Sequence, residues 1–267
     1  MANTANTTLG QLRIVLVEPV GALNVGAIAR VMKNFGFSQL VLVNPRCDPL
    51  GDEARLMAVH AAEVLEQAQQ VDSLPAALAG CQQAVATTAR DRASKPLYSP
   101  EVGLARLLPS GSPSAAALIF GPEDRGLSND ELAHAQCSIR IPTHDAYPSL
   151  NLAQAVAICC YELARPPVGD PVAAPALSPT GGAIASLDQV EGLYQHLEAT
   201  LLRIGYLYSH TAPSRMEKFR DLGHRAQLSA QDVTMLRGIL RQIAWFVERD
   251  AAESDAAGGN ADRGSRE

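Results

Sequence analysis

Short apolar runs alternate with stretches of helical periodicity through residues 1–165, and this alternation constrains the fold more than any other feature of the sequence. Two of the runs, each ending in a proline, are "LRIVLVEP" (12–19) and "QLVLVNP" (39–45). Between them, apolar residues recur at helical spacing in "NVGAIARVMKNFG" (24–36). Apolar strands that alternate with helices are typical of parallel sheets covered on both faces. The sequence therefore predicts an α/β domain with a mostly parallel sheet flanked by helices.

The same periodicities predict the other elements of this domain. Further strands are expected at 82–89, 115–121 and 138–142. Further helices are expected at 53–68, 129–135 and 151–165. Gly36 is placed to end the helix that precedes it, because glycine readily adopts the left-handed conformation at a helix C-terminus.

The chain divides after this domain. Residues 166–185 are rich in proline and glycine, which is typical of an extended linker. Residues 186–250 contain two amphipathic patterns, for which Ser186 and Ser229 are candidate N-caps. Residues 251–267 are polar and glycine-rich, so we expect a disordered tail. The predicted organisation is an α/β domain, a linker, a small helical extension and a tail.

Composition limits the classes of protein to which the chain can belong. No apolar run approaches the roughly 20 residues that span a bilayer, and the first residues lack the pattern of a secretory signal. The five cysteines form no CxxC pair, which disfavours a zinc site and a disulfide framework. We therefore expect a cytoplasmic protein with reduced thiols, no membrane association and no bound metal.

The net charge of −6 disfavours a nucleic-acid partner, but the charge is unevenly distributed. Residues 203–241 contain seven Lys or Arg and three Asp or Glu, whereas residues 248–267 contain six acidic and three basic residues. Salt screens charges that are more than about 8 Å apart. A local basic surface can therefore attract phosphate in spite of the acidic total.

Three segments that follow predicted strands carry unusual polar residues. They are "EPVGALNVGAIAR" (18–30), "IFGPEDRGLSNDEL" (119–132) and "IPTHDAYPSLNLAQAVA" (141–157). The carboxyl ends of parallel strands meet at one edge of a sheet, where ligands bind. Taken singly, these residues have ordinary interpretations: Ser149 or Asn151 as an N-cap, Arg30 as a surface residue. Because GxGxxG and GxxxxGK[ST] are both absent from the sequence, a standard phosphate loop is disfavoured.

Together, the three segments resemble the three motifs of the SPOUT RNA methyltransferases, in the same order, and most closely the branch that methylates ribose 2′-hydroxyls. The resemblance covers about residues 11–165. It implies a sheet with a deep trefoil knot, S-adenosylmethionine as the methyl donor, and no metal. It also implies a homodimer, which agrees with the helix at 151–165 being apolar on nearly every face.

The C-terminal segment "MEKFRDLGHRAQLSAQDVTMLRGILRQIAWF" resembles a bacterial branch of this family that methylates nucleotide 32 in the tRNA anticodon loop. The resemblance implies tRNA as the partner. The basic residues expected to contact its phosphates are Arg90, Arg92, Lys95, Arg215, Lys218, Arg220 and Arg225. The alternative for the helical extension is a hairpin that seals the dimer.

The resemblance also implies which residues hold the donor. They are Thr87, Thr88, Ala89, Gly121, Ile141, Ser149 and Leu150. We expect the acids Glu123 and Asp124 to favour a cationic ligand over a phosphate, and we expect Gly121 to allow close approach of that ligand. On this view, Gly121→Leu abolishes donor binding and leaves the fold mostly intact.

The residues that the resemblance places in catalysis are Asn24, Arg30, Glu123, Ser149 and Asn151. In the family the arginine is often assigned as the general base. A guanidinium has a pKa above ~12 and accepts protons poorly. A fixed cation that stabilises the ribose oxygen is the second interpretation. In either role, the other four residues orient the arginine, the ribose and its phosphate.

Three alternative functions differ in class or in target. One is ribose methylation at another tRNA or rRNA nucleotide. Another is a non-catalytic RNA-binding module on the same fold, which the full set of five polar residues disfavours. The third is a nucleotide-dependent oxidoreductase or hydrolase, which the missing glycine fingerprints disfavour.

Overall fold

The computed structural model describes residues 9–90, 96–107, 115–165 and 183–261, with side chains as far as residue 249. The chain forms two compact units. The first consists of residues 1–177 and 186–188, and the second of residues 178–185 and 189–267. Most of the predicted linker at 166–185 lies outside the described residues, and residues 186–188, which we assigned to the helical extension, group with the first unit.

The first unit is built on a parallel sheet. Its strands are β1 (Leu12–Val17), β2 (Gln39–Val43), β3 (Gln69–Val71), β4 (Gln83–Thr87), β5 (Leu97–Tyr98), β6 (Ala116–Phe120) and β7 (Cys137–Ile139). The described strands are ordered β3-β2-β1-β6-β4-β7-β5, and each neighbouring pair is parallel. The predicted parallel sheet is therefore confirmed, and the structure adds the short strands β3 and β5 at its edges.

Helices connect the strands. They are α1 (Ala22–Phe35), α2 (Asp52–Ala58), α3 (Ala62–Glu66), α4 (Leu74–Leu78), α5 (Pro100–Leu104), α6 (Asn129–Ala133) and α7 (Leu152–Ala164). As predicted, α1 ends at Gly36 in the left-handed conformation (φ 79°). The helix predicted over 53–68 is broken into α2 and α3, with Val59 at φ 54° between them. The apolar spacing continues across this break, so the pattern alone could not locate it.

Both faces of the sheet are covered. Ile14 and Leu16 of β1 belong to one buried cluster together with residues of α1 and α7. Val15 and Val17 point to the other face, into a cluster with residues of α4 and α6. This alternation follows from the two-residue repeat of a strand.

Four of the five cysteines are buried, and all five are free. Burial raises the pKa of the Cys159 thiol to about 12. The thiol is therefore protonated at neutral pH and packs as a small apolar group. In the described parts of the chain, no helix is long and apolar enough to cross a bilayer.

The helical extension contains three described helices, α8 (Leu187–Arg203), α9 (Ala212–Ala226) and α10 (Ala230–Ala261). We predicted two. The segment between the two predicted helices forms α9, which buries Met216 against the core of this unit. Ser229 caps α10 as predicted, because its Oγ accepts a hydrogen bond from the Asp232 amide at 3.1 Å.

Helix α10 continues to Ala261, into the segment 251–267 that we expected to be disordered. Five of residues 251–261 are alanines, which favour extension of a helix that is already nucleated, whereas Gly258 and Gly259 oppose it. Residues 262–267 lie outside the described part of the chain.

Candidate active site

A cavity of about 260 Å³ lies at the carboxyl ends of three neighbouring strands, β6, β4 and β7. Its walls are the turn 121–127 after β6, residues 88–90 after β4 and residues 148–150 after β7. Because the strands are adjacent and parallel, segments far apart in sequence converge at this edge of the sheet. The apolar side chains of Phe120, Ile139 and Leu152 also line the cavity.

All seven residues that we predicted for donor binding line this cavity: Thr87, Thr88, Ala89, Gly121, Ile141, Ser149 and Leu150. Two of the hydroxyls support the wall itself. Thr87 Oγ1 donates to the Ile119 carbonyl at 3.1 Å, and Thr88 Oγ1 accepts from the Arg90 amide at 3.1 Å. The cavity thus combines apolar surface with main-chain polar groups, a combination that suits a flat heterocycle with polar edges.

Three of the predicted catalytic residues form a hydrogen-bonded chain. Asn24 Nδ2 donates to Glu123 Oε1 at 2.8 Å, and Asn151 Nδ2 donates to Asn24 Oδ1 at 3.0 Å. Asn151 also caps α7, because its Oδ1 accepts from the Ala153 amide at 2.9 Å. The chain joins the first turn of α1, the turn after β6 and the N-terminus of α7.

Glu123 accepts two further hydrogen bonds, from the amides of Val20 (2.9 Å) and Gly21 (3.1 Å). Partial burial raises the pKa of its carboxyl, but the hydrogen bonds from Asn24 and these amides outweigh burial and lower the pKa. Glu123 is therefore ionised at neutral pH and holds the loop between β1 and α1.

The other charges of this turn also have partners within the protein. Asp124 pairs with Arg46 at 2.8 Å, and Arg125 forms a two-pronged ion pair with Glu131 at 2.8 and 2.9 Å. Arg125 also lies 3.2 Å from a carboxylate oxygen of Glu18. We expected free acids facing a cationic ligand. Instead, each charged side chain of the turn forms hydrogen bonds or an ion pair with another part of the protein.

Sequence reasoning missed Arg46, Arg125 and Glu18 as parts of this network. A signal was available for two of them. Glu18 ends the run that contains β1, and Arg46 follows Pro45 just after β2, so both lie at the edge of the sheet where the other polar loops meet. Arg125 was inside the quoted turn, but its partners depend on how the turn folds.

Gly121 is required for a different reason from the one that we predicted. A Cβ at this position would lie 2.4 Å from the Leu127 amide nitrogen and 2.5 Å from the Gly126 carbonyl carbon. The glycine therefore lets the turn close on itself, and Gly126 supports the turn with a positive φ of 67°. Gly121→Leu would distort the turn, so the expectation of a mostly intact local fold is withdrawn.

The other two predicted catalytic residues, Arg30 and Ser149, are not part of the hydrogen-bonded chain. Arg30 is exposed on α1 and does not line the cavity. Within the described residues, the Arg30 side chain has no hydrogen bond or ion pair, so the expected contact with Asn24 or Glu123 is not made. Ser149 is exposed and lines the cavity, and its hydroxyl makes no hydrogen bond to a described residue.

Two family models match the chain. The SpoU rRNA methylase family matches residues 11–161, and the C-terminal domain of the tRNA methyltransferase TrmJ matches residues 188–256. The first match spans more than half of the chain and contains every wall of the cavity. The chain belongs to the SpoU rRNA methylase family.

Relatives within this family match nearly the whole chain. The tRNA (cytidine/uridine-2′-O-)-methyltransferase TrmJ of Pectobacterium atrosepticum is 39% identical over 241 residues, covering 88% of this chain and 97% of that protein. The tRNA (cytidine/uridine/adenosine-2′-O-)-methyltransferase TrmJ of Pseudomonas aeruginosa is 38% identical, covering 88% and 94%. The crystal structure of TrmJ from Z. mobilis ZM4 superposes with a TM-score of 0.76 at 31% identity, covering 87% and 98%. The predicted resemblance is confirmed at the level of the family.

In this SpoU-family chain, the predicted RNA-contacting residues fall into four groups, of which Arg220 alone forms the last. Arg90 is exposed at the cavity, whereas Arg92 and Lys95 lie outside the described residues. Three others, all exposed on α9, are Arg215, Lys218 and Arg225.

Arg220 belongs to neither the cavity nor the exposed face of α9. Its side chain is 17% exposed and forms a two-pronged ion pair with Glu191 of α8. Its guanidinium also lies 4.8 Å from the centre of the Tyr194 ring. The helical repeat turns this position inward, so its inclusion among exposed phosphate contacts was wrong.

The described residues contain no group of three or more His, Cys, Asp or Glu side chains arranged to hold a metal ion. The acids around the cavity are committed to arginines and amides, as described above.

Proposed function

We propose that this chain transfers a methyl group from S-adenosylmethionine to a ribose 2′-hydroxyl of tRNA, at nucleotide 32 of the anticodon loop. The observation that carries the proposal is the cavity at the carboxyl ends of β4, β6 and β7, lined by all seven residues predicted for the donor. The relatives that match 88% of the chain are named as tRNA 2′-O-methyltransferases, which supports the type of substrate.

The residues around the cavity fit S-adenosylmethionine. Ile141 and Leu150 would offer apolar contacts to an adenine, and residues 88–89 and 121–122 of the wall could meet its polar edge. When bound, the donor supplies an electrophilic methyl group on a positively charged sulfur. Nothing in this arrangement requires a metal, because the leaving group of such a donor is already good.

Arg30 is the residue that we assign to the ribose oxygen. As the ribose oxygen bonds to the donor's methyl carbon, the carbon–sulfur bond would break to leave a neutral thioether, and the hydroxyl proton would pass to solvent water. Negative charge develops on the oxygen as its proton leaves, and a fixed guanidinium stabilises that charge. A guanidinium is a poor proton acceptor, so we favour this role over that of general base. Because Arg30 is exposed and unpaired among the described residues, it is available to a cavity on another chain.

A two-fold homodimer would bring Arg30 to its site of action. Helix α1, which carries Arg30, and helix α7, which shares a buried cluster with it, both expose apolar side chains. Leu23 of α1 is 47% exposed and Tyr161 of α7 is 52% exposed. Gln154, Ala157, Ile158 and Tyr161 form the outward stripe of α7. Such apolar surface on packed helices favours burial against a second copy. The knot implied by the family resemblance stays a prediction.

The chain Asn24–Glu123–Asn151 is proposed to position the site. Its hydrogen bonds hold the start of α1, the turn after β6 and the N-terminus of α7 in one arrangement. Ser149, whose hydroxyl is exposed, is proposed to contact the ribose or its phosphate. The exposed Arg215, Lys218 and Arg225 are proposed to contact phosphates elsewhere on the tRNA.

One assay tests the reaction. The purified chain is incubated with radiolabelled S-adenosylmethionine and total tRNA, with and without EDTA, and the tRNA is digested to nucleosides. We expect label in 2′-O-methylnucleosides, unchanged by EDTA, and mapping should locate it at nucleotide 32. Label at another nucleotide would support only the broader activity. Donor binding without any transfer to tRNA would contradict the proposal and favour a non-catalytic RNA-binding module.

A further inference from the structure

The loop between α8 and α9 exposes two tyrosines, although aromatic residues make up only 4% of the chain. Tyr206 is 52% exposed and Tyr208 is 58% exposed. Leu207 between them is 1% exposed and belongs to the core of the helical unit. The buried leucine anchors the loop, and the rings on either side of it are exposed to the solvent. Exposed aromatic rings on an anchored loop are a feature of binding surfaces.

Hydrogen bonds hold this loop in one conformation. The amides of Tyr206 and Leu207 both donate to the Leu201 carbonyl at 3.0 Å, after Gly205 turns the chain with a φ of 74°. The Tyr208 carbonyl accepts from the amides of residues 211 and 212 at 2.8 and 2.9 Å. The rings are therefore presented by an ordered backbone, which reduces the entropy that binding would cost.

Each tyrosine is combined with a group that can carry positive charge. The Arg215 guanidinium lies 5.5 Å from the centre of the Tyr206 ring and donates to the Tyr206 carbonyl at 3.1 Å. The Tyr208 and His210 rings are stacked, with centres 6.0 Å apart and planes 23° apart. No acidic residue occurs from 204 to 216, and Lys218 is exposed one turn further along α9.

We propose that this aromatic surface, formed by Tyr206, Tyr208, His210, Arg215 and Lys218, binds unpaired RNA nucleotides by stacking their bases. The inference rests on the proposed function and specifies the part of the RNA that this unit binds. Bases in duplex RNA are covered by their neighbours, whereas bases of single-stranded loops are free to stack on aromatic side chains. The adjacent cations match the phosphates that link such bases. A protein partner would not require this combination of flat rings and positive charge.

Binding of the full chain to a fluorescent single-stranded RNA oligomer and to a blunt RNA duplex of the same length tests the proposal. We expect the double substitution Tyr206→Ala and Tyr208→Ala to weaken binding of the single strand about tenfold or more, with little change for the duplex. Tyr206→Phe with Tyr208→Phe keeps both rings and should bind like the unmodified chain. Trp245→Ala removes another exposed aromatic residue of the same unit and should also have no effect.

Unchanged single-strand binding by the alanine pair would overturn the proposal. So would an equal loss for single strand and duplex, or a loss that is accompanied by a changed sedimentation coefficient, which would indicate that the surface contacts a second copy. Photocrosslinking of the unmodified chain to 4-thiouridine RNA gives a test independent of any variant. Crosslinks at Tyr206, Tyr208 or His210 support the proposal, and crosslinks confined to other residues contradict it.

The methyl-transfer assay separates this inference from the proposed function. If the unmodified chain methylates tRNA but the alanine pair binds single strands normally, only the stacking site is wrong. If the alanine pair loses single-strand binding but the unmodified chain methylates no tRNA, the stacking site stands and the proposed reaction is wrong.

Discussion

Glu123 lies in a turn that lines a ligand cavity, yet its carboxylate is bound by the protein itself. Three N–H donors, from Val20, Gly21 and Asn24, surround it. Hydrogen bonds to a charged group contribute more to stability than those between neutral groups. This carboxylate therefore fixes the loop between β1 and α1 before any ligand enters.

Replacement of Glu123 by Gln should lower the free energy of unfolding by about 1 kcal/mol at neutral pH, because an amide N–H would then face an N–H of the loop. The folded-state pKa of Glu123 lies below its usual value of 4.5, since its hydrogen bonds outweigh the effect of burial. Its contribution is therefore present above pH 4.5 and is lost as the pH falls through the folded-state pKa. Urea unfolding should therefore show a smaller loss of stability for Glu123→Gln at a pH below the folded-state pKa than at neutral pH. An equal loss of stability at these two pH values would refute this account.

Replacement of Arg30 should lower the turnover number and leave the affinity for the donor unchanged. We expect Arg30→Ala to lower kcat about 100-fold or more, the typical effect of removing a group that stabilises developing charge. Arg30→Lys keeps the charge but loses the planar geometry, so its kcat should be intermediate. Arg55→Ala removes another exposed arginine, one paired with Glu66 on the surface, and should leave kcat unchanged. Calorimetric titration with the donor completes the test, and loss of donor affinity in Arg30→Ala would show that this role is misassigned.

At the scale of elements, α1 and α2 pack with backbone close to backbone at Gly26. A Cβ on Gly26 would lie 2.1 Å from the Ala54 carbonyl oxygen. No side-chain rotation can relieve a contact with main-chain atoms, so a larger residue here must move a helix.

Gly26→Ala should therefore destabilise the chain by about 1–3 kcal/mol, the usual cost of overpacking. Gly238→Ala is the matched control, because nothing lies within 4 Å of a Cβ built at that position in α10. That substitution should stabilise its helix by up to about 1 kcal/mol, since alanine favours helices. Urea unfolding of both variants measures the contrast, and a stabilising Gly26→Ala would show that the helices separate freely.

Helix α9 has two faces with different roles. Met216 and Arg220 face the core of the helical unit, whereas Lys218 and Arg225 are exposed. Leu222, also exposed at 56%, adds apolar area to the outer face. The basic side chains of this helix therefore have two roles: Arg220 packs inside the unit, and Lys218 and Arg225 carry charge at its surface.

Arg220→Ala and Lys218→Ala should separate these roles. Loss of Arg220 removes the two-pronged ion pair from the largely buried Glu191, so we expect a loss of stability of about 2 kcal/mol, less than for a fully buried pair. Lys218→Ala should change stability by less than about 0.5 kcal/mol and should reduce the salt dependence of tRNA binding. Thermal unfolding and tRNA affinity at two salt concentrations measure both. A stable Arg220→Ala variant that binds tRNA poorly would reverse the assignment.

At the scale of the whole molecule, the proposed mechanism places each active site across two chains. The cavity is built by one chain, whereas Arg30 is exposed on a helix that does not line it. If two chains associate about a two-fold axis, each active site combines the cavity of one chain with Arg30 of the other.

Mixed dimers test this arrangement. Arg30→Ala should be inactive, and so should Leu150→Trp, which fills the cavity. After the two variants are mixed and allowed to exchange subunits, about half of the dimers should contain one copy of each variant. One of the two sites in such a dimer combines an intact cavity with an intact Arg30, so about a quarter of all sites should be active. Activity of the mixture measures the result. A mixture as inactive as its components would show that Arg30 does not act across the dimer, and a stable monomer in sedimentation would exclude the dimer itself.

The sequence by itself predicted most of the longer elements and the edge of the sheet at which the cavity lies, although the polar loop at 18–30 does not line the cavity. Proline and glycine stops and the two apolar periods predicted β1, α1, β2 and α7 to within a few residues. Parallel strands align their carboxyl ends, so the loops that follow them had to meet. The C-terminus of α1 at Gly36 and the cap at Ser229 are also local, because each depends on one residue and its near neighbours.

Only the tertiary structure decided which partners the charged residues have. Glu123 and Asp124 were expected to face a ligand, and Arg220 was expected to face RNA, but each is bound by a residue from a distant segment. The break at Val59 and the helical fold of the basic segment α9 were likewise beyond the local pattern. A charge pairs with whichever opposite group the packing of helices and strands brings within about 4 Å, and that distance is a property of the assembled fold.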